Sequence, residues 1–240
     1  MTELKKYISL MLVFMFVLLS LSACTPSGKT GGRKGNEVYI KVNDENLSRE
    51  YIGYFFYLAQ MAMLEEAGYS NSPKEDIDTY WQTAKIEGKN AVDVARDVAS
   101  DNAVAAKVQY LKAVSEGITL SQEEEDAISS DIERSVNNQG GMEAFEKTLE
   151  SMGTNIDAYK QIRLENVYIQ KLYNKYNEEG VLYISETELA EFTLANDGLI
   201  KSEDMLEYAM NEKFNAFVNQ WKKDSNIIID DVMMKTFEVD

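Results

Sequence analysis

After Glu37 the chain has a single proline, Pro73, and its apolar runs are fenced by residues that start and stop helices. Ser72-Pro-Lys-Glu75, Ser121-Gln-Glu-Glu124, Thr154-Asn-Ile-Asp157 and Ser185-Glu-Thr-Glu188 each offer a hydroxyl that can accept from the third N–H of a new helix, with a carboxylate placed to reach back. The first also sets proline where a helix needs no N–H. Gly68, Gly117, Gly153 and Gly180 follow apolar runs at the positions where a left-handed residue closes a helix. These fences predict helices near 48–67, 90–116, 122–138, 142–152, 156–178, 186–196 and 203–223. The apolar spacing agrees: Val94, Val98, Val104, Val108 and Leu111 recur at helical intervals, as do Tyr159, Ile162, Ile169, Tyr173 and Tyr176, and then Phe214, Phe217, Val218 and Trp221.

Two segments read as strands. Val38, Ile40 and Val42 alternate with Tyr39 and Lys41 before a turn at Asn43-Asp44, and Ile227-Ile228-Ile229 is a β-branched run before Asp230-Asp231. They lie at opposite ends of the body, so their pairing would bring those ends together. A lone two-stranded ribbon is marginal in water, so it must pack on the helices. The predicted fold class is therefore mainly α, with a short two-strand pairing of N- and C-terminal segments.

The first helix is unusual. Between Tyr51 and Leu64 the only non-apolar residues are Gly53 and Gln60. At 100° per residue, Tyr51, Phe55, Leu58 and Ala62 form one face, Ile52, Phe56 and Met63 a second, and Tyr54, Tyr57, Met61 and Leu64 a third. A helix apolar nearly all round is either enclosed or displays surplus apolar surface. Methionine adapts to varied partners, and tyrosine offers a rigid apolar plate with a polar tip.

The residues that are missing exclude much chemistry. There is no histidine and only one cysteine, Cys24, which removes Ser-His-Asp triads, Cys-His pairs, imidazole ligands, thiolate zinc sites and intrachain disulfides. No serine has lysine three residues later, so the S-x-x-K signature is absent. The acidic run Glu123–Asp126 reads as a helix start favoured by the helix dipole. Asp230-Asp231 lies in no calcium-loop pattern. Gly28-Lys29-Thr30 lacks the earlier glycine and the preceding strand of a phosphate loop. With 41 acids, no pair can be singled out as glycosidase carboxylates. The expectation is a protein that is not an enzyme and uses no cofactor or metal. A net charge of −17 also argues against nucleic acid as a partner.

The chain opens with Lys5 and Lys6 before an apolar run from Ile8 to Leu21, too short to span a bilayer and typical of a secretory signal. Leu21-Ser22-Ala23-Cys24 follows, a sequence that resembles the bacterial lipobox, in which the cysteine is lipidated after cleavage before it. Two acyl chains suffice for stable anchoring where one is marginal. Next comes TPSGKTGGRKGN, which has nothing to bury and carries Lys29, Arg33 and Lys34, so it reads as a basic, flexible leash. The expected organisation is a lipoprotein signal peptide at 1–23, a tether at 24–36 and a helical domain at 37–240, held outside the cytoplasm on the bacterial cell membrane.

Three stretches of the body, VYIKVNDENLSREYIGYFF, LKAVSEGITLSQEEEDAI and GGMEAFEKTLESMGTNIDAYKQIRLENVYIQKLY, together with the ending FNAFVNQWKKDSNIIIDD, resemble the SurA/PrsA family of extracytoplasmic chaperones and foldases. The resemblance covers roughly residues 37–194 and 205–238. Asp44 stands where family members often have glycine, a change a turn tolerates. After Phe192 many relatives insert a parvulin prolyl-isomerase domain that opens with a histidine-containing signature. Here Asn196 to Ser202 leads straight into the last helix. The resemblance implies a SurA-like chaperone domain without the isomerase, which binds unfolded or newly secreted polypeptides without ATP. The candidate peptide-binding residues are Tyr54, Tyr57 and Met61 on the first helix and Tyr168, Leu172 and Tyr176 on the later one, with Cys24 as the lipidation site. The alternative is a structural lipoprotein whose apolar surface is a fixed interface, in a homodimer or with an envelope partner.

Overall fold

The computed structural model describes residues 38–196, 200 and 204–239. The leader, Cys24 and the tether lie outside them. Within them the chain is mainly helical with a small antiparallel sheet. In order, β1 (Ile40–Val42) and β2 (Glu45–Leu47) form a hairpin, followed by α1 (Arg49–Glu66), α2 (Lys74–Thr83), and the short hairpin of β3 (Lys85–Ile86) and β4 (Lys89–Asn90). Then come α3 (Ala91–Ser115), α4 (Gln122–Asn138), α5 (Met142–Ser151), α6 (Ile156–Glu178), α7 (Glu186–Ala195), α8 (Met205–Asp224), β5 (Ile227–Ile229) and α9 (Asp231–Met234).

The predicted pairing of the two ends is present. β1 pairs antiparallel with β5, Ile40 opposite Ile229 and Val42 opposite Ile227. A third strand, β2, lies on the other side of β1, so the order is β2-β1-β5. Asn43 takes a φ of 54° in the turn and locks it to the far end of the chain. Its N–H donates to the Asn226 carbonyl at 2.8 Å, and its side-chain oxygen accepts from the Asn226 N–H at 2.9 Å.

Capping boxes form at Ser121 with Glu124 and at Ser185 with Glu188. Two other expectations need correction. Pro73, not Ser72, is the cap of α2, a helix for which the apolar pattern gave no range, and no side chain caps it. Thr154 does not cap α6. Gly153, at φ 71°, lets the Thr154 N–H turn back to the Leu149 carbonyl at 3.0 Å and finish α5. The cap therefore passes to Asn155, whose side chain accepts from Ala158. The β3–β4 hairpin, with Glu87 and Gly88 at positive φ, and α9, capped by the Asp230 side chain, were also not anticipated.

The core has two parts. The larger gathers Ile40, Val42 and Leu47 of the sheet, most of α1, the first half of α3, and Phe145, Leu149 and Ile162 of α5 and α6. The smaller joins Ala113, Leu172, Leu182, Phe214 and Val218 at the other ends of α3 and α6 against α8.

Two features fix α1. The Glu165 carboxylate on α6, fully buried, is bonded by Lys107 of α3, by the Tyr51 hydroxyl of α1 at 2.6 Å, and by Gln161 at 2.9 Å. The Lys107 ammonium also sits 5.1 Å from the Tyr51 ring centre and 5.2 Å from that of Tyr110. Burial, and then the Glu165 charge, push the Tyr51 phenol well above its ordinary range, so it stays a donor. Further along α1, Gly53 lies backbone to backbone against Gly153. A Cβ at Gly53 would fall far inside contact distance of the Gly153 carbonyl oxygen.

Gly53→Ala should therefore cost about 3 kcal/mol or more, the upper end for forced overpacking, measured by urea unfolding. Glu165→Leu alone should cost about 3–5 kcal/mol, since it strands the buried Lys107 charge. The triple variant Tyr51→Phe, Lys107→Met, Glu165→Leu should recover most of that loss, because neither the Lys107 ammonium nor the Tyr51 hydroxyl is then left alone in the core.

Candidate functional site

The structure settles the first helix's two options in favour of burial with one open stripe. Most of α1 is enclosed, but the stripe through Gly53, Tyr57, Gln60, Met61 and Leu64 lines a cleft of about 290 Å³. That is the small end of the range for ligand pockets, roughly 300–1,000 Å³. The other walls come from distant parts of the chain: Trp81 of α2, Met152 at the end of α5, and the tail at Phe237 and Val239. Arg49, Lys74, Asp78 and Glu150 stand among the lining residues, so the cleft mixes an apolar lining with charges of both signs.

The tail is held there by two arginines. Arg49 donates to the Thr236 hydroxyl at 2.8 Å and places its guanidinium 4.8 Å from the Phe237 ring centre, while Arg96 donates to the Phe237 carbonyl at 2.7 Å. Phe237 in turn packs on Tyr39 and Phe56. Trp81 stacks edge-on with Tyr80, 5.0 Å between centroids.

The six residues expected to bind peptide separate. Tyr57 and Met61 line the cleft. Tyr54, only 6 % exposed, does not line it but packs edge-on to Phe55 and Tyr159, and burial pushes its phenol up. Leu172 is fully buried in the smaller core. The expectation that these two contact peptide is thus corrected: packing leaves them no face for a ligand. Tyr168, half-buried, stands edge-on to Tyr110 and away from the cleft.

Tyr176 is the centre of an aromatic group with Phe214, Phe217 and Trp221. Its hydroxyl donates to Glu116 at 2.8 Å, and Glu116 also receives Lys175 at 2.7 Å and Lys112 at 3.0 Å. This group joins α3, α6 and α8 and does not reach the cleft. Partial burial alone would raise the Glu116 carboxyl, but the bonds from Lys175, Lys112 and Tyr176 outweigh it and hold it at about 2.

A second concavity, about 830 Å³, runs along α4. Ile128, Ile132 and Val136 form its α4 wall, with Met142 of α5 and Leu164 of α6 opposite, and Glu125, Glu133 and Lys160 also line it. Among the acids read earlier as a helix start, Glu124 closes its capping box and also bonds Lys171 of α6 at 2.7 Å, fastening α4 across the groove's end. Among the described residues, no helix is long and apolar enough to cross a membrane.

No family model matches this chain, and no curated protein or solved structure matches it either.

A carboxylate held below its unfolded range stabilises the fold above that range and loses its contribution as the pH falls through the folded value. Glu116→Gln should therefore lower stability at pH 7, and the gap from the parent should close as the pH drops from 4.5 towards about 2. Urea midpoints across that window measure it. A gap that stays constant would assign the loss to shape and not to charge.

Proposed function

We propose that this protein is a membrane-anchored, extracytoplasmic holdase of the SurA/PrsA type: it binds apolar segments of unfolded or newly secreted polypeptides without ATP and without prolyl-isomerase chemistry. The observation that carries this reading is the cleft beside α1, where Tyr57 and Met61 meet Trp81 and Met152 in a concave surface open to solvent. Most of an intensely apolar helix is spent on the core, and half-buried Tyr57 and Met61 are where it meets the cleft, alongside the buried Trp81 and Met152. Each apolar side chain a client buries there contributes about 1.5–3 kcal/mol. Few such contacts give a weak, reversible grip, which suits release without an energy source.

The mooring belongs to the same reading. A lipidated Cys24 and a basic leash would hold the body near the membrane surface, and a net charge of −17 would keep loaded complexes apart and favour clients with basic stretches. The cleft tolerates many sequences because methionine adapts its shape and the charges around it are of both signs.

The test is light scattering of a reduced, aggregating model protein in the presence of the full chain. Suppression is expected at a several-fold molar excess, and the pair Tyr57→Asp, Met61→Asp should remove at least half of it while leaving the thermal midpoint within a few degrees. Tyr54→Asp should instead lower the midpoint, because that residue is buried. A parent protein that fails to suppress aggregation, yet sediments as a stable dimer, would replace the holdase with a fixed interface.

A further inference from the structure

The outer edge of β5 is an open backbone template. The Asn43 N–H donates to the Asn226 carbonyl at 2.8 Å and the Asp230 N–H to the Tyr39 carbonyl at 3.0 Å. In an antiparallel ladder such exchanging pairs alternate with non-bonded ones, so Lys41 and Ile228 exchange bonds between them, while Ile227 and Ile229 turn their N–H and C=O groups away from β1. β5 ends the order β2-β1-β5, and no hydrogen-bond partner for these outward groups lies among the described residues. Natural sheets blunt an edge with lysine, proline, a bulge or a covering element. The segment Asn226 to Asp230 holds neither lysine nor proline. Its side chains are open as well: Ile228 is 56 % and Ile229 41 % exposed, and Val232 just beyond is 74 % exposed.

We propose that this edge accepts an extended segment of client polypeptide as a fourth strand, antiparallel or parallel to β5, and that the preferred segment has a β-branched core with lysine or arginine at the end that meets Asp230 and Asp231. The backbone groups of Ile227 and Ile229 supply the affinity in a sequence-blind way, as strand addition does elsewhere. One end is chosen by charge: exposed Asp230 and Asp231 follow the strand, whereas exposed Asp224 before it is balanced by exposed Lys223. Of the cations nearby, Lys222 is paired with Asp101 and Lys41 belongs to β1, one strand further in. The same charges argue against a second copy as the occupant, because two chains of net charge −17 would meet along edges ended by the same aspartates. This inference rests on the reading of the protein as a binder of unfolded chains, but it uses main-chain bonding at β5 where that reading uses side-chain burial at the cleft.

The experiment follows fluorescence anisotropy of a labelled, blocked peptide with a Val-Thr-Val-Thr-Val core and paired lysines at each end, titrated with the full chain at low salt. Saturable binding is expected, with slowed amide exchange at residues 227 and 229. Three changes should each weaken it at least ten-fold: N-methylation of alternate peptide residues, glutamates in place of the peptide's lysines, and Ile229→Pro. That proline removes an N–H which β1 does not use, a place where edge strands tolerate it. Met61→Asp should leave the peptide's affinity unchanged. The N-methylated peptide makes the same test on unaltered protein should the proline variant fold poorly. Affinity that ignores N-methylation and Ile229→Pro overturns the edge. Loss on Met61→Asp alone moves the peptide into the cleft, which sinks the edge and spares the holdase. A concentration-dependent dimer that Ile229→Pro abolishes, with no peptide binding, makes the edge a self-association surface and also overturns it.

Discussion

One buried charge pair sets the position of everything else. Lys107 and Glu165 meet in the interior between α3 and α6, and the Tyr51 hydroxyl brings α1 into the same group. Desolvating two charges is costly, and such a pair seldom stabilises more than well-packed apolar residues would. What it does supply is selectivity among arrangements. A helix as uniformly apolar as α1 could pack on its neighbours through several faces with similar gain. Only the rotation that points Tyr51 at Glu165 leaves no polar group stranded. With that rotation set, the stripe through Tyr57 and Met61 turns to the cleft.

The Gly53–Gly153 approach then fixes how close α1 comes to the α5–α6 turn. A larger residue at Gly53 would lift the helix off the turn and widen the floor of the cleft, whereas at Gly153 the cost is backbone strain at φ 71°. Since the opposite wall is the tail pinned by Arg49 and Arg96, the concave surface is assembled from four separated parts of the chain: α1, α2, the α5–α6 turn and the segment after β5. Its shape is therefore a property of the whole fold.

That origin explains what could be read in advance. Helix ends were legible because caps and closing glycines act locally: Ser121, Ser185, Gly117 and Gly180 do their work within a few residues. Pairing of β1 with β5 was legible because both are β-branched runs that stand out from a helical body. The third strand and the short β3–β4 hairpin were not, since residues such as Glu45 and Lys89 carry no strand preference and are held by their neighbours. Thr154 misled because two rules competed for it, and helix closure at Gly153 won. In the cleft, Tyr57 and Met61 stood out as members of an apolar helix, yet nothing local separated them from buried Tyr54 one turn away. Trp81, Met152 and the tail join them only through tertiary contact. Lys107 and Glu165 look in sequence like any exposed helix charges. Leu172 and Tyr176 carried the right residue types but belong to the packing of α8.

The order of the sheet bears on how the molecule reaches its folded form. Its central strand, β1, leaves the ribosome early, while its neighbour β5 lies near the other end, so the two can meet only after nearly the whole body has been made. Asn43 and Asn226 likewise wait for one another. Contacts so distant along the chain are slow to close. During synthesis the nascent body therefore lacks this clasp until β5 has emerged, and the sheet closes after the helices that it joins.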